Sequence, residues 1–179
     1  SDFLLKDKIK MEPSTILEYL YFAKSACIIY DIQRYDIKGK RLFEIKHKRF
    51  FTDIGMRNII AGANSIHPTD IPWVIENCVV SNLRSFGRSL LVWEYDDYEI
   101  NIIAERWSQK MYIQVATTIL NQDTLEREQR SLSLINDNRP KYILLYDTKG
   151  LQLQAMDGIQ VQSIHEFLLL LWLSNNYER

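Results

Sequence analysis

The glycine-rich turns that cradle phosphates are missing from this sequence. Its six glycines, at 39, 55, 62, 87, 150 and 158, nowhere form GxxxxGKS/T or GxGxxG, so the chain alone offers no P-loop for ATP. Histidine is scarce too: His47, His67 and His165 lie far apart with no HxxxH or CxxC companion, and spacing therefore supports no zinc site. No Ser-His-Asp signature is visible. The two cysteines, Cys27 and Cys78, sit among apolar neighbours and nothing at the N-terminus resembles a signal peptide, so two buried free thiols in a cytoplasmic protein are expected. The longest apolar run, Phe167 to Leu173, is far short of the roughly 20 residues that span a bilayer; a buried terminal helix and no membrane partner are expected. Charge of one sign is lacking as well. A net charge of −1 gives no general attraction to polyanions or membranes, so nucleic-acid binding would have to come from a local patch.

What is present, 179 residues with 46% hydrophobic and 25% charged, suits a soluble globular protein with one or two modest cores. From Pro13, PSTILEYLYFAKSA has apolar residues at helical spacing, and ACIIYDIQRYDIKGKRLFEIKHKRFF alternates as two strands turning around Lys38-Gly39-Lys40. A helix feeding a hairpin is the order of a winged helix. Asp53 caps a short helix through Ile60 that Gly62 closes, and the small and polar residues of AGANSIHPTD suggest a linker. The resulting division is a winged-helix module over 1–62, a linker over 63–67 and a second module over 68–179. The second opens with the helix IPWVIENCVVSNLRSFG, striped at 71, 74, 75, 78, 79 and 83. Strands SLLVWEY, YEINIIAE and KMYIQVA follow, then a helix from Asp123 to about Leu134, a strand KYILLYD, a hairpin LQLQAMDGIQVQ with Gly158 left-handed, and a last helix from Ser163. This is an α/β arrangement.

A turn at Arg106 to Gln109, or at Trp107-Ser108 alone, sets Asn101 opposite Gln114 and Glu99 opposite Ala116. Alternation then gives Glu99, Asn101, Gln114 and Ala116 one face and Ile100, Ile102, Ile113 and Val115 the other. A polar pair on adjacent strands, after a helix carrying Glu76, resembles the skeleton of a PD-(D/E)XK nuclease. In that group one strand supplies aspartate, the next Glu-x-Lys, and a helix often adds a glutamate. Carboxylates there hold Mg²⁺ against the scissile phosphate, and lysine positions or activates water. Two neutral amides and an alanine supply neither that charge nor that base. Two readings stand: Asn101 and Gln114 are neutral substitutes for ligands, or they are a satisfied polar cross-strand pair.

The runs TILEYLYFAKSACIIYDIQRYDIKGKRLFEIKHKRFFTDIGMRNIIAG, IPWVIENCVVSNLRSFG, YEINIIAE, KMYIQVAT, LEREQRSLSLINDNRPKYILLYD and VQSIHEFLL resemble the C-terminal part of a prokaryotic ATPase family. Its members carry an AAA-type P-loop domain, then a winged helix, then a domain of unknown function with a nuclease-like fold. The resemblance implies that ATP and Mg²⁺ belong to an ATPase domain outside this sequence, and that no cofactor binds here. Where members commonly show Glu-Ile-Asp-Phe, this chain has Glu99-Ile100-Asn101-Ile102; where some carry Glu-Val-Lys, it has Gln114-Val115-Ala116.

Between residues 34 and 49, Arg34, Lys38, Lys40, Arg41, Lys46, Lys48 and Arg49 stand against Asp36 and Glu44, a local +5 that leaves −6 for the rest of the net −1. On a hairpin wing these cations could lie along DNA phosphates, or the face could meet a protein partner or the ATPase domain. The expectation is a non-catalytic binding module with a degenerate nuclease-like fold. The enzyme alternative, a Mg²⁺- or Mn²⁺-dependent nuclease, would use Glu76 and Glu99 with Asn101 and Gln114.

Overall fold

The structure, a computed structural model, describes residues 12–36, 41–62, 66–95, 98–118, 122–148 and 158–177. Among them, α1 (Pro13–Ser25), β1 (Ile29–Asp36), β2 (Arg41–Phe51) and α2 (Ile54–Ile60) precede a 3-10 turn at Pro68–Asp70 and α3 (Ile71–Ser85). Then come β3 (Ser89–Tyr95), β4 (Tyr98–Arg106), β5 (Gln109–Ala116), α4 (Gln122–Ser133), β6 (Lys141–Leu145), β7 (Ile159–Ser163) and α5 (Ile164–Tyr177). No helix among the described residues is long and apolar enough to cross a membrane.

The helix boundaries follow local chemistry. The Asp53 carboxylate accepts from the Met56 N–H at 2.7 Å and so caps α2, as its sequence position predicts. Gly62 and Gly87 close α2 and α3 at φ +65 and +72, a left-handed conformation in which a side chain would be strained. Pro72 sits in the first turn of α3, where its missing N–H costs nothing.

All seven strands form one mixed sheet in the order β2-β1-β3-β4-β5-β6-β7. β3, β4 and β5 run antiparallel in sequence, and β6 and β7 add in parallel. The hairpin that the sequence assigns to the 1–62 module is hydrogen-bonded to this sheet: β1 pairs in parallel with β3, from Gln33 opposite Leu91 to Asp36 opposite Glu94. Its Tyr30, Ile32 and Phe50 share a core with Val79, Val80 and Leu83 of α3 and with Phe167 and Leu171 of α5. Burial of each such aliphatic side chain contributes about 1.5–3 kcal/mol. On the other face, Leu132 of α4 covers Trp93, Ile100, Ile143 and Leu145. Residues 63–65 of the linker, the 37–40 turn and strand 151–157 lie outside the described residues; Gly158 is left-handed as predicted.

Three expectations are corrected. Cys27 and Cys78 are free but both exposed, because Cys27 lies just beyond the exposed C-terminus of α1 and Cys78 points away from the α3 core stripe. The terminal helix is buried on one side only: Phe167 and Leu171 face the core while Leu169, Leu170 and Trp172 are exposed. The facing of β4 also differs from simple alternation. Ile103 stands opposite Leu91 but Ile100 opposite Trp93, so β4 spends three residues where β3 spends two. This bulge turns Ile100 into the core under α4, whereas Ile102, Ile113 and Val115 pack under α3.

Candidate functional site

The β4–β5 register matches the sequence reading, with Ile102 opposite Ile113, Arg106 opposite Gln109 and Trp107-Ser108 as the turn. The paired ladder extends no further than Ile102 and Ile113, and beyond it the two amides take over. The Asn101 N–H donates to Gln114 Oε1 at 2.8 Å, and the Val115 N–H donates to Asn101 Oδ1 at 2.8 Å. Gln114 Nε2 donates to the Glu99 carbonyl at 2.9 Å and to Ser131 Oγ of α4 at 2.9 Å, with Glu128 Oε2 at 3.2 Å. The side chains thus bridge β4 and β5 beyond the end of their backbone ladder. Gln114 is buried, and its donors and acceptor are all engaged.

Glu76 and Glu99 converge with cations between them, while Gln114 is turned to Ser131 and Glu128 of α4 instead of joining them. Lys48 Nζ from β2 lies 2.6 Å from Glu76 Oε1 and 2.9 Å from Glu99 Oε1. Arg34 from β1 reaches Glu99 Oε2 at 3.0 Å and Glu94 Oε2 at 2.8 Å. A chain of charges, Glu76–Lys48–Glu99–Arg34–Glu94, therefore ties the hairpin to α3, β3 and β4. Its side chains are mostly buried, from 11% exposed at Glu76 to 31% at Glu99. Burial pushes the Glu76 carboxyl above its ordinary range, against the opposing pull of Lys48. Burial works against the Lys48 ammonium, but Glu76 and Glu99 overcome it and hold its pKa above the usual lysine value. The Arg34 guanidinium behaves alike beside Glu94 and Glu99. Lys48 therefore remains a cation, seated between the two carboxylates. Among the described residues no three His, Cys, Asp or Glu side chains are grouped to hold a metal ion.

Of the expected nucleic-acid contacts, Arg34 and Lys48 are committed to this network, and Arg49 lies 3.4 Å from Asp31. Arg41 and Lys46 lie on β2 with side chains outside the described atoms, and Lys38 and Lys40 lie outside the described residues. Ala116 packs against the core under α4, on the opposite face of the sheet from the Glu76–Lys48 pair. Sequence reasoning missed two participants. Glu94 follows Val92 on the face that Arg34 shares, a parity signal that was readable once β3 was assigned. Asn77, fully buried, accepts from the Phe51 N–H at 2.8 Å and donates to the Phe51 carbonyl at 2.9 Å, clamping the end of β2 onto α3.

No family model matches the chain, and no solved structure matches it. The chain is similar to an uncharacterized protein of Haemophilus influenzae, 30% identical over 169 residues, a match that covers 94% of this chain. It spans 40% of the length of that relative.

Proposed function

We propose that this chain is a non-catalytic binding module, part of a larger protein, with a nuclease-like sheet whose cation position is filled by its own lysine. The observation that carries this reading is Lys48 Nζ, 2.6 Å from Glu76 and 2.9 Å from Glu99. A tethered ammonium between two carboxylates satisfies the charge that a nuclease would offer to Mg²⁺, and it cannot act as a Lewis acid on a phosphate. The amides agree with it, since Asn101 and Gln114 spend their polar atoms bridging β4 and β5. The order helix, three antiparallel strands, helix and parallel strand, from α3 to β6, supports the nuclease-like comparison. The match to 40% of a longer relative supports a place beside further domains, and an AAA-type ATPase domain is the neighbour that the sequence resemblance suggests.

Between the two binding modes, a protein partner is favoured over DNA through the hairpin. Arg34 and Lys48 are neutralised by glutamates, so two of the seven proposed phosphate contacts are already occupied. A plasmid-nicking assay in Mg²⁺ and Mn²⁺ tests the reading. No metal-dependent nicking is expected; nicking that Glu76→Ala abolishes would establish the nuclease alternative instead.

A further inference from the structure

Helix α5 turns a second apolar face away from the core it covers. Ile164, Phe167 and Leu171 are buried, whereas Leu169, Leu170, Trp172 and Leu173 are between 37% and 58% exposed. Leu169 and Leu173 stand one turn apart on the outer side, flanked by Leu170 and Trp172. No charged residue occurs from Phe167 to Leu173; Glu166 is acidic in the first turn and the last turn has no basic residue. Helix α1 is exposed as well, but its Leu17 and Tyr19 point to opposite sides and make no such single face.

We infer that this face of α5 is an interface between two copies of the chain, paired antiparallel about a two-fold axis level with Leu171. Self-complementarity selects the occupant. Pairing about that level sets Leu169 of one copy opposite Leu173 of the other and Leu170 opposite Trp172, so every exposed apolar side chain meets another. A parallel pair would set Glu166 against Glu166, whereas the antiparallel one separates those carboxylates by roughly 15 Å along the helices. The area agrees. At their exposure the four side chains leave roughly 400 Å² of apolar surface per chain, about 800 Å² for the pair. With His165, Glu166 and Tyr146 at the margin, the total reaches the roughly 1,000 Å² that a specific interface needs. The inference deepens the binding-module reading, on which it rests in taking a protein as the partner.

The test is sedimentation equilibrium of the whole chain across the micromolar range, where a monomer–dimer equilibrium is expected for an interface of this size. Leu169→Glu and Leu173→Lys should each raise the dissociation constant roughly tenfold or more. Combined in one chain they set opposite charges against each other across the axis, and association should recover relative to either substitution alone. Leu17→Glu on α1 should leave it unchanged within about twofold. All three positions are exposed, and urea melts confirm that the variants fold. A chain that stays monomeric at every concentration, as when another domain covers the face, would overturn the inference. So would a dimer indifferent to Leu169→Glu, a dimer broken by Leu17→Glu instead, or a double variant that associates no better than the single ones. The nicking assay separates the two readings: nicking would overturn the non-catalytic reading and leave the dimer standing, and a monomer would do the reverse.

Discussion

Replacing Lys48 with methionine keeps the stem and removes the ammonium between Glu76 and Glu99, which is the most direct perturbation of the network. Removing one partner of a fully buried ion pair costs about 3–5 kcal/mol, because the other charge is left in a poor solvent. Here the side chains retain 19% exposure at Lys48 and 11% at Glu76, and Glu99 keeps Arg34, so roughly 2–3 kcal/mol is expected. With a urea slope of about 2 kcal/mol per molar, the midpoint should fall by about 1–1.5 M. The loss should also depend on pH with a definite sign. Glu76 already has a folded pKa above its ordinary 4.5, so its contribution to stability is fully present below 4.5 and is lost as pH rises through the folded value. Losing Lys48 removes a lowering influence and raises that value further, so the gap between wild type and variant widens as pH rises from 4.5 to 7. Glu76→Gln in the same chain should recover a large part of the loss, giving a coupling energy of about 1 kcal/mol or more. A gap below about 0.5 kcal/mol, or one constant across that pH range, would refute the claim that the ammonium neutralises a buried carboxylate.

The bridging amides make a paired prediction. Asn101→Asp keeps the acceptor that Val115 N–H uses, whereas Gln114→Glu turns the donor facing the Glu99 carbonyl and the Glu128 carboxylate into a third acceptor. Gln114→Glu should therefore cost about 2–4 kcal/mol in urea melts and Asn101→Asp about half as much; the reverse order would refute the assigned orientations. Tyr112 is buried and donates to Asp137, so its hydroxyl pKa lies above the ordinary 10.0. Its contribution to stability is present below 10.0 and lost as pH rises beyond it. Absorbance titration should show a late-ionising tyrosine fraction, to which the buried Tyr30 and the partly buried Tyr142 also contribute, and Tyr112→Phe should reduce that fraction by one tyrosine.

Most elements were legible because their signals are local. The Asp53 cap, the glycine closures of α2 and α3, the β4–β5 register from Ile102 opposite Ile113 to Arg106 opposite Gln109, and the α4 boundaries all follow from residues close in sequence. The β4 facing was not, because helices cover both sides of a central strand and Ile102-Ile103 is buried without alternation. The bulge is decided by pairing with β3, which the sequence of β4 does not encode. Exposure of α1 escaped for a related reason. Leu17, Tyr21 and Phe22 have a core-like spacing, yet no residue of α1 is buried; a helical stripe says that a face wants cover, not that this sheet provides it. Arg34 and Lys48 read as free cations because their glutamates lie on α3, β3 and β4, distant in sequence.

The amides and the lysine bear on one another. Beyond the end of the β4–β5 ladder the N–H groups of Asn101 and Val115 donate to side-chain oxygens, so the side chains that bridge them must accept. Gln114 must also donate, to the Glu99 carbonyl and Ser131, which a carboxylate cannot do. An amide is thus required at 114 by hydrogen-bond arithmetic, independent of any lost catalytic role. The same arithmetic limits what an acidic substitution could achieve. Asn101→Asp would introduce a carboxylate, but its oxygen would still be drawn to the Val115 N–H, and Lys48 would still sit between Glu76 and Glu99. Building a divalent site there would take at least the removal of that ammonium together with a new anion facing Glu76, because both the charge and the space are already used.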